Sequence, residues 1–229
     1  MNKENNNCHG HSHDHSASLI EELICHLPYA IFSVAVGLII LSFMTVFGLS
    51  NVDQNHSHCG GLHALFHSFH FLHIVFATSG SIVMFSRFSN NIVKGFVVSL
   101  ASALFFCTLS DIILPYLAGR ILGVSMHFHI CLVSEINNVI PFLGIGLLNG
   151  LVMSKHKSSV KGFFSILIHF SHILTSSLAS LFYIIAEGYT NWYQNMGLLF
   201  ILLVIAVVIP CTFADVIVPV FFARSRKGE

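Results

Sequence analysis

Two nine-residue stretches contain the side chains best suited to chemistry in this chain, and both follow the pattern C-T-x-x-D-x-I-x-P, at 107–115 and at 211–219. Each places an aspartate, Asp111 or Asp215, four residues after a cysteine, so the two side chains share one face of a helix. An aspartate within an apolar helix costs about 2.5–3.5 kcal/mol on membrane insertion. Its repetition therefore favours cation or proton binding, with purely structural pairing to histidines as the alternative.

Histidines and glutamates precede each stretch in a repeated order. The pattern H-F-x-H-I occurs at 70–74 and at 169–173, and the pattern E-x5-P-x8-G begins at Glu22 and again at Glu135. All three patterns occur in the same order in both halves, and they are built on residue types that are rare in so apolar a chain. The sequence therefore predicts an internal duplication.

Imidazole, thiol and carboxylate groups are together the ligands of borderline or soft divalent cations. A site for Mg²⁺ or Ca²⁺ would consist of oxygen donors and would not need so many histidines. The sequence therefore predicts a divalent transition metal as the substrate. Zn²⁺ is the first choice, and Fe²⁺, Ni²⁺, Co²⁺, Mn²⁺ and Cu are the alternatives.

The composition excludes a soluble domain, because the 229 residues are 55% hydrophobic and only 9% charged, with a mean hydropathy of +0.80. A helix needs about 20 apolar residues to cross a bilayer. Windows of this kind predict an all-α polytopic membrane protein with helices at 28–49, 63–86, 92–118, 130–153, 160–186 and 196–222. Residues 1–27 are polar and rich in histidine, unlike a cleaved signal peptide, so the first helix is expected in the mature protein.

The basic residues predict the orientation of these six helices. Nine of the ten Lys and Arg residues fall on one side of the predicted spans, and Arg120 falls on the other. Cytoplasmic segments retain positive charge, so the tails at 1–27 and 225–229 are both expected to be cytoplasmic. We expect a multi-pass protein of a bacterial inner membrane.

The duplication divides the spans into two repeats of three helices, at 28–120 and 121–224. Three is an odd number, so the second repeat must enter the membrane from the opposite face, which predicts inverted repeats. This architecture is typical of secondary transporters, whose substrate site lies between the repeats. It also occurs in channels and in membrane enzymes.

Helical rise assigns the ionisable residues of the spans to two depths. The predicted outer ligands are His63, His67, His70, His73, Cys107, Asp111 and Glu135, with His127 and His129 nearby. The predicted inner ligands are Glu22, His169, His172, Cys211 and Asp215, with His26 one turn after Glu22. Each group draws on both repeats, so motion of one repeat against the other would make and break the ligand sets.

Two further histidine tracts lie outside the predicted spans. They comprise His9, His11, His13 and His15 in the N-terminal tail and His56, His58 and Cys59 ahead of the second helix. Alternating histidines in a segment that cannot build a core bind metal weakly and adaptably. We expect an accessory role in metal capture or sensing, and a tract without function is the alternative.

The leading hypothesis is a secondary transporter of a divalent transition metal, coupled to protons, with the lipid bilayer as its other partner and no role for nucleic acid. Protons are the expected coupling ion because metal binding displaces them from histidine and cysteine. The main alternative is an intramembrane metalloenzyme, either a di-iron lipid-modifying enzyme or a zinc hydrolase, since His63-x3-His67 can place two imidazoles on one metal. A metal sensor without transport is a third hypothesis.

Overall fold

The computed structural model describes residues 19–47, 60–155 and 161–224, and every regular element in these ranges is helical. The nine α-helices are α1 Leu19–Val46, α2 Gly60–Phe88, α3 Ile92–Thr108, α4 Leu114–Ile121, α5 Cys131–Ser134, α6 Ile136–Lys155, α7 Lys161–Ala186, α8 Met196–Thr212 and α9 Val218–Arg224. A 3₁₀ turn at Trp192–Asn195 precedes α8. Six helical spans in these ranges are long and apolar enough to cross a membrane, so the predicted all-helical class and span count are confirmed.

The first and fourth spans begin at different residues from those predicted. Helix α1 begins at Leu19, inside the predicted polar tail, because residues 19–27 are largely apolar and carry acidic side chains in the first turn, where they complement the helix dipole. The fourth span begins at Ile136 because the backbone leaves the helical conformation at Glu135. The residues before it form the separate short helix α5.

Helices α2 and α7 are antiparallel neighbours at the centre of the bundle. Three pairs of rings follow their contact, with centroid separations of 5.1 Å for Phe66 and Tyr183, 5.6 Å for Phe69 and Phe182, and 4.6 Å for His73 and His172. From the first pair to the third, the residue number rises along α2 and falls along α7, as it must in an antiparallel contact. The two H-F-x-H-I patterns therefore face each other.

Helices α1 and α6 pack on the outside of this central pair, and glycines allow the close approach. A Cβ atom at Gly37 of α1 would lie 3.2 Å from Leu181 of α7. A Cβ atom at Gly150 of α6 would lie 3.0 Å from both the backbone oxygen of Ser79 and the Cβ atom of Ile82 in α2. Each outer helix therefore packs against the central helix of the other half of the chain.

The helix directions define two ends of the bundle. His26 near the start of α1 contacts His169 near the start of α7, and Arg224 at the end of α9 lies over the ring of Phe88 at the end of α2. We call this end, which contains the first and last described residues, the terminal end. The opposite end, which contains the short helix α5, is called the far end.

Each C-T-x-x-D stretch contains one π-helical turn, at Leu109–Ile113 and at Phe213–Ile217. The residue after each turn donates its N–H group to the carbonyl five residues earlier. Asp111 and Asp215 lie at the centres of the two turns. Such turns are frequent at functional sites because they change which side chains point into the bundle.

A proline follows each π turn and lacks the N–H group that would continue the bonding. In the π register, Pro115 would bond to the carbonyl of Ser110, and the Ser180 hydroxyl donates to that carbonyl instead at 3.0 Å. At the second turn, the Ser102 hydroxyl donates at 3.4 Å to the carbonyl of Ala214, five residues before the proline. Serines from neighbouring helices therefore allow both spans to continue through the proline.

Candidate functional site

Asp111 accepts hydrogen bonds from four side chains. Its Oδ2 atom accepts from Nδ1 of His70 at 2.8 Å and from Nδ1 of His73 at 2.7 Å. Its Oδ1 atom accepts from the hydroxyls of Ser110 at 2.7 Å and Ser176 at 2.9 Å. All five side chains are buried. The i and i+3 spacing of the histidines on α2 lets one carboxylate oxygen reach both rings.

The bond to Asp111 determines which ring nitrogen of His73 is left to bind metal. A histidine that donates from Nδ1 keeps a lone pair on Nε2, and a carboxylate on the far nitrogen is the usual support for a metal-binding imidazole. The Nε2 atom of His73 lies 3.7 Å from Sγ of Cys107 and 3.9 Å from Sγ of Cys211. His73 therefore points its lone pair at two thiols.

Asp215 has two histidine contacts like those of Asp111 but, within the described part of the chain, lacks the two serine contacts. Its Oδ2 atom lies 3.0 Å from Nδ1 of His169 and 2.6 Å from Nδ1 of His172. Its Oδ1 atom is buried and has no hydrogen-bond partner among the described residues. A Cβ atom at Gly80 would lie 3.0 Å from this oxygen, so the glycine of α2 leaves space beside it.

Three groups of side chains in the described residues could each hold a metal ion, because their ligand atoms lie within 4.8 Å of one another. The far-end group is His67, His129 and Cys131, the central group is His73, His172 and Cys211, and the terminal group is His26, His169 and Asp215. Their order along the helices runs from one end of the bundle to the other.

The central group is fully buried and combines side chains from both halves of the chain. Its histidine rings lie 4.6 Å apart, with His73 on α2 and His172 on α7. Cys211 on α8 supplies a sulfur, and Cys107 on α3 offers a second one near His73. Two nitrogens and two sulfurs form a donor set that suits tetrahedral Zn²⁺.

The terminal group adds a histidine from α1. The Nδ1 atom of His26 donates to the backbone carbonyl of Glu22 at 2.6 Å, and its Nε2 atom is buried without a hydrogen-bond partner among the described residues. The ring meets that of His169 edge-on, with centroids 4.2 Å apart. The group offers two imidazoles and a carboxylate but no thiol.

The far-end group lies beside the buried carboxylate of Glu187. Cys131 carries a free thiol, and its Sγ atom lies 3.4 Å from Nδ1 of His67. Burial raises the pKa of the Cys131 thiol to about 12. Burial also raises the pKa of Glu187 to about 7, and its Oε1 atom lies 3.6 Å from Nε2 of His63.

The structure places the predicted ligands in three groups, whereas the sequence predicted two. His73 joins His172 and Cys211 across the halves instead of staying with the outer ligands. His70 contacts Asp111, and the ring of His63 lies beside those of His67 and His129 with centroids 6.2 and 6.5 Å away. His63, His70 and Cys107 therefore lie beside the three groups without belonging to any of them.

The two predicted glutamate ligands lie outside the three groups. The Glu135 carboxylate accepts a hydrogen bond from the Asn138 amide at 2.6 Å, and Glu22 contributes its backbone carbonyl to His26. The accessory residues His9, His11, His13, His15, His56, His58 and Cys59 lie outside the described residues.

Four residues at or beside the site were not predicted from the sequence: Cys131, Ser110, Ser176 and Glu187. The close spacing of His129 and Cys131 was a signal for the cysteine, since ligands two residues apart can reach one metal from a non-helical segment. Nothing in the sequence singled out the serines, because a serine in a helix most often bonds to its own backbone. 

No protein-family model matches this chain, and comparisons with curated proteins and with solved structures find no significant similarity. The three groups of possible metal ligands are therefore the features from which a function can be inferred.

Proposed function

We propose that this chain is a secondary transporter of a divalent transition metal, with Zn²⁺ as the preferred substrate, and that it is not an enzyme. The observation that carries this proposal is the succession of three His, Cys and Asp groups through a bundle of six apolar spans. Ionisable side chains inside a membrane protein commonly mark the path of an ion or a proton. A single buried group would suit a fixed structural metal equally well, but three in succession suit a path.

The proposed mechanism is alternating access between inverted repeats, with the terminal end in the cytoplasm. Matching carboxylate contacts in the two halves support the repeats: Asp111 binds the histidine pair of α2, and Asp215 lies against the histidine pair of α7. The central group takes ligands from both halves, so rocking one half against the other would change its ligand set.

The glycine contacts support the same inverted arrangement independently. In the register of the repeated patterns, Gly37 corresponds to Gly150, and residues 79 and 82 of α2 correspond to residues 178 and 181 of α7. Gly37 packs against Leu178 and Leu181, and Gly150 packs against Ser79 and Ile82. Equivalent outer helices therefore touch equivalent positions on the opposite central helix, as inverted repeats would require.

Protons are the proposed coupling ion. A cysteine must lose its proton to bind metal, and a histidine must be neutral. Metal arriving at the central group would therefore displace protons from Cys211 or Cys107, and the buried histidines and carboxylates on either side could carry them away. Uptake of metal at one face would be linked to proton release along the same path.

The test is Zn²⁺ flux into proteoliposomes that contain the purified full chain. The variants His73→Ala and His172→Ala remove ligands of the central group and should lower flux by at least about tenfold, the minimum that loss of an outer-shell partner costs a metal site. His127→Ala is the matched control, because this histidine is exposed and belongs to none of the three groups. Undiminished flux in both central variants would exclude the proposed path.

The far-end group supports a second candidate, an intramembrane metalloenzyme. His67, His129 and Cys131 leave one coordination position open in a tetrahedral site, as catalytic zinc sites do. Metal analysis of the washed protein separates the two functions. Tightly held, stoichiometric iron or zinc would favour the enzyme, and labile metal that exchanges during washing would favour the transporter.

A further inference from the structure

We propose that the two repeated carboxylates have different roles in handling the metal. Asp215 binds the cation directly, together with His26 and His169, in a thiol-free site for a divalent transition metal at the terminal end. Asp111 contacts no cation and positions the imidazoles of His70 and His73. This inference rests on the proposed metal-transport function and concerns how its two halves differ.

Asp111 has no free lone pair with which to bind a metal. A carboxylate offers about four acceptor positions, and Asp111 receives four hydrogen bonds of 2.7 to 2.9 Å. A cation could reach it only after one of these buried donors had been displaced and left without a partner, which is costly in a low-dielectric interior. Its hydrogen bonds hold the imidazoles instead.

Asp215 differs from Asp111 at its second oxygen. The Oδ1 atom has no hydrogen-bond partner among the described residues although the side chain is 95% buried, since its exposed fraction is 5%. A buried carboxylate oxygen without a donor is unfavourable unless a cation or another group compensates it. A metal ion at this oxygen would supply the missing partner.

The second half of the site lacks the hydroxyl donors that bond to Asp111. In the register of the repeats, Ser110 corresponds to Ala214, and Ser176 corresponds to Ala77. Both hydroxyls that saturate Asp111 are therefore methyl groups in the other half. Gly80 adds space, because its position corresponds to Ala179 and a Cβ atom there would lie 3.0 Å from Oδ1.

His26 completes the site with a second unpartnered atom. Its Nδ1 atom is held by the Glu22 carbonyl, and its Nε2 atom is buried without a hydrogen-bond partner among the described residues. Ligand atoms of His26, His169 and Asp215 lie within 4.8 Å of one another. The geometry thus provides two imidazoles and one carboxylate, and it draws them from α1, α7 and the second π turn.

Cobalt distinguishes this site from the groups that contain cysteine. Co²⁺ bound to a thiolate gives a charge-transfer band, whereas Co²⁺ bound only to imidazole and carboxylate gives none. We would titrate the purified full chain in detergent with Co²⁺, following the band and total binding by equilibrium dialysis. The wild-type protein should bind Co²⁺ both with and without the band.

Asp215→Asn should weaken the band-free binding by at least about tenfold and leave the thiolate band unchanged. The lower bound is the loss of metal affinity that follows removal of an outer-shell partner. Asp111→Asn should leave the band-free binding unchanged and alter the thiolate band, because His73 loses its support. Any binding by the histidine tracts outside the spans is common to all variants and cancels in the comparison.

Gly80→Ala provides a second test that keeps both carboxylates. Its added methyl group would lie against Oδ1 of Asp215, so it should weaken the band-free binding in the same direction as Asp215→Asn. Gly144→Ala is the matched control, because a Cβ atom at Gly144 meets nothing within 4 Å in the described ranges of the chain. This variant should bind Co²⁺ like the wild type.

The outcomes separate this inference from the proposed function. Equal loss of band-free binding in Asp111→Asn and Asp215→Asn would overturn the division of roles, and so would unchanged binding in both Asp215→Asn and Gly80→Ala. If the wild type shows the thiolate band but Asp215→Asn and Gly80→Ala lose none of the band-free binding, the terminal site is wrong while metal handling at the central group stands. If the wild type binds no Co²⁺ at all, the proposed function itself fails.

Discussion

The imidazole rings of His73 and His172 lie 4.6 Å apart at the contact between α2 and α7. Each ring has its Nδ1 atom next to a different aspartate, at 2.7 Å from Asp111 for His73 and at 2.6 Å from Asp215 for His172. The two repeated His and Asp pairs therefore meet back to back. This contact joins the halves of the chain at the position where we propose that a transported cation passes between them.

The two central cysteines should differ in their effect on metal affinity. Cys211 belongs to the group within 4.8 Å of both central histidines, whereas Cys107 lies near His73. We expect Cys211→Ser to weaken Zn²⁺ binding by at least about tenfold, and by more than Cys107→Ser does. Competition of the purified protein with a chromophoric zinc chelator measures both. A larger loss in Cys107→Ser would contradict the assigned ligand set.

Removing the Ser176 hydroxyl should destabilise the bundle. Ser176→Ala leaves Oδ1 of Asp111 with one donor fewer, and an under-satisfied buried carboxylate should lower the free energy of unfolding by about 1–3 kcal/mol. Ser42→Ala is the control, because among the described residues its hydroxyl bonds only to the Leu38 carbonyl of its own helix. Equilibrium unfolding in mixed micelles compares them, and equal stability of the two variants would count against the role of Ser176.

The close packing of α6 on α2 should tolerate no methyl group at Gly146. A Cβ atom there would lie 2.8 Å from the Val75 carbonyl oxygen, so Gly146→Ala should cost about 1–3 kcal/mol through overpacking. At Gly144, two residues away on the same helix, a Cβ atom would meet no described residue within 4 Å, so Gly144→Ala should be nearly neutral. Thermal unfolding of the two purified variants measures the difference, and similar midpoints would contradict the helix contact.

Glu187 should make stability depend on pH. Burial raises its pKa from the ordinary value of 4.5 to about 7, so the folded protein favours the protonated carboxyl, and stability falls as pH rises from about 4.5 to about 7. Glu187→Gln, which cannot ionise, should stabilise the protein at about pH 8.5 and have little effect at about pH 5. The Nε2 atom of His63 lies 3.6 Å from this carboxyl, so comparison with the double variant that also carries His63→Gln separates the contribution of His63 to the pH dependence. A pH-independent effect would contradict the burial argument.

Several features of the fold and the site follow from local sequence alone. The apolar windows predicted six helical spans because crossing a bilayer requires about 20 apolar residues regardless of the tertiary arrangement. The spacing of His70 and His73, and of His169 and His172, placed each pair on one helix face within reach of one carboxylate. These properties depend on helix geometry, which the chain carries locally.

The tertiary structure decided which of these faces meet. The sequence assigned His73 and His172 to different depths, but the packing of α2 on α7 brings their rings together, because the crossing of the two helices decides which side chains meet. The π register and the contact with α7 decided that Asp111 accepts from Ser176, while Asp215 keeps an unpartnered oxygen. Helix rise can be counted from the sequence, whereas the rotation of each helix about its axis is set only when side chains pack.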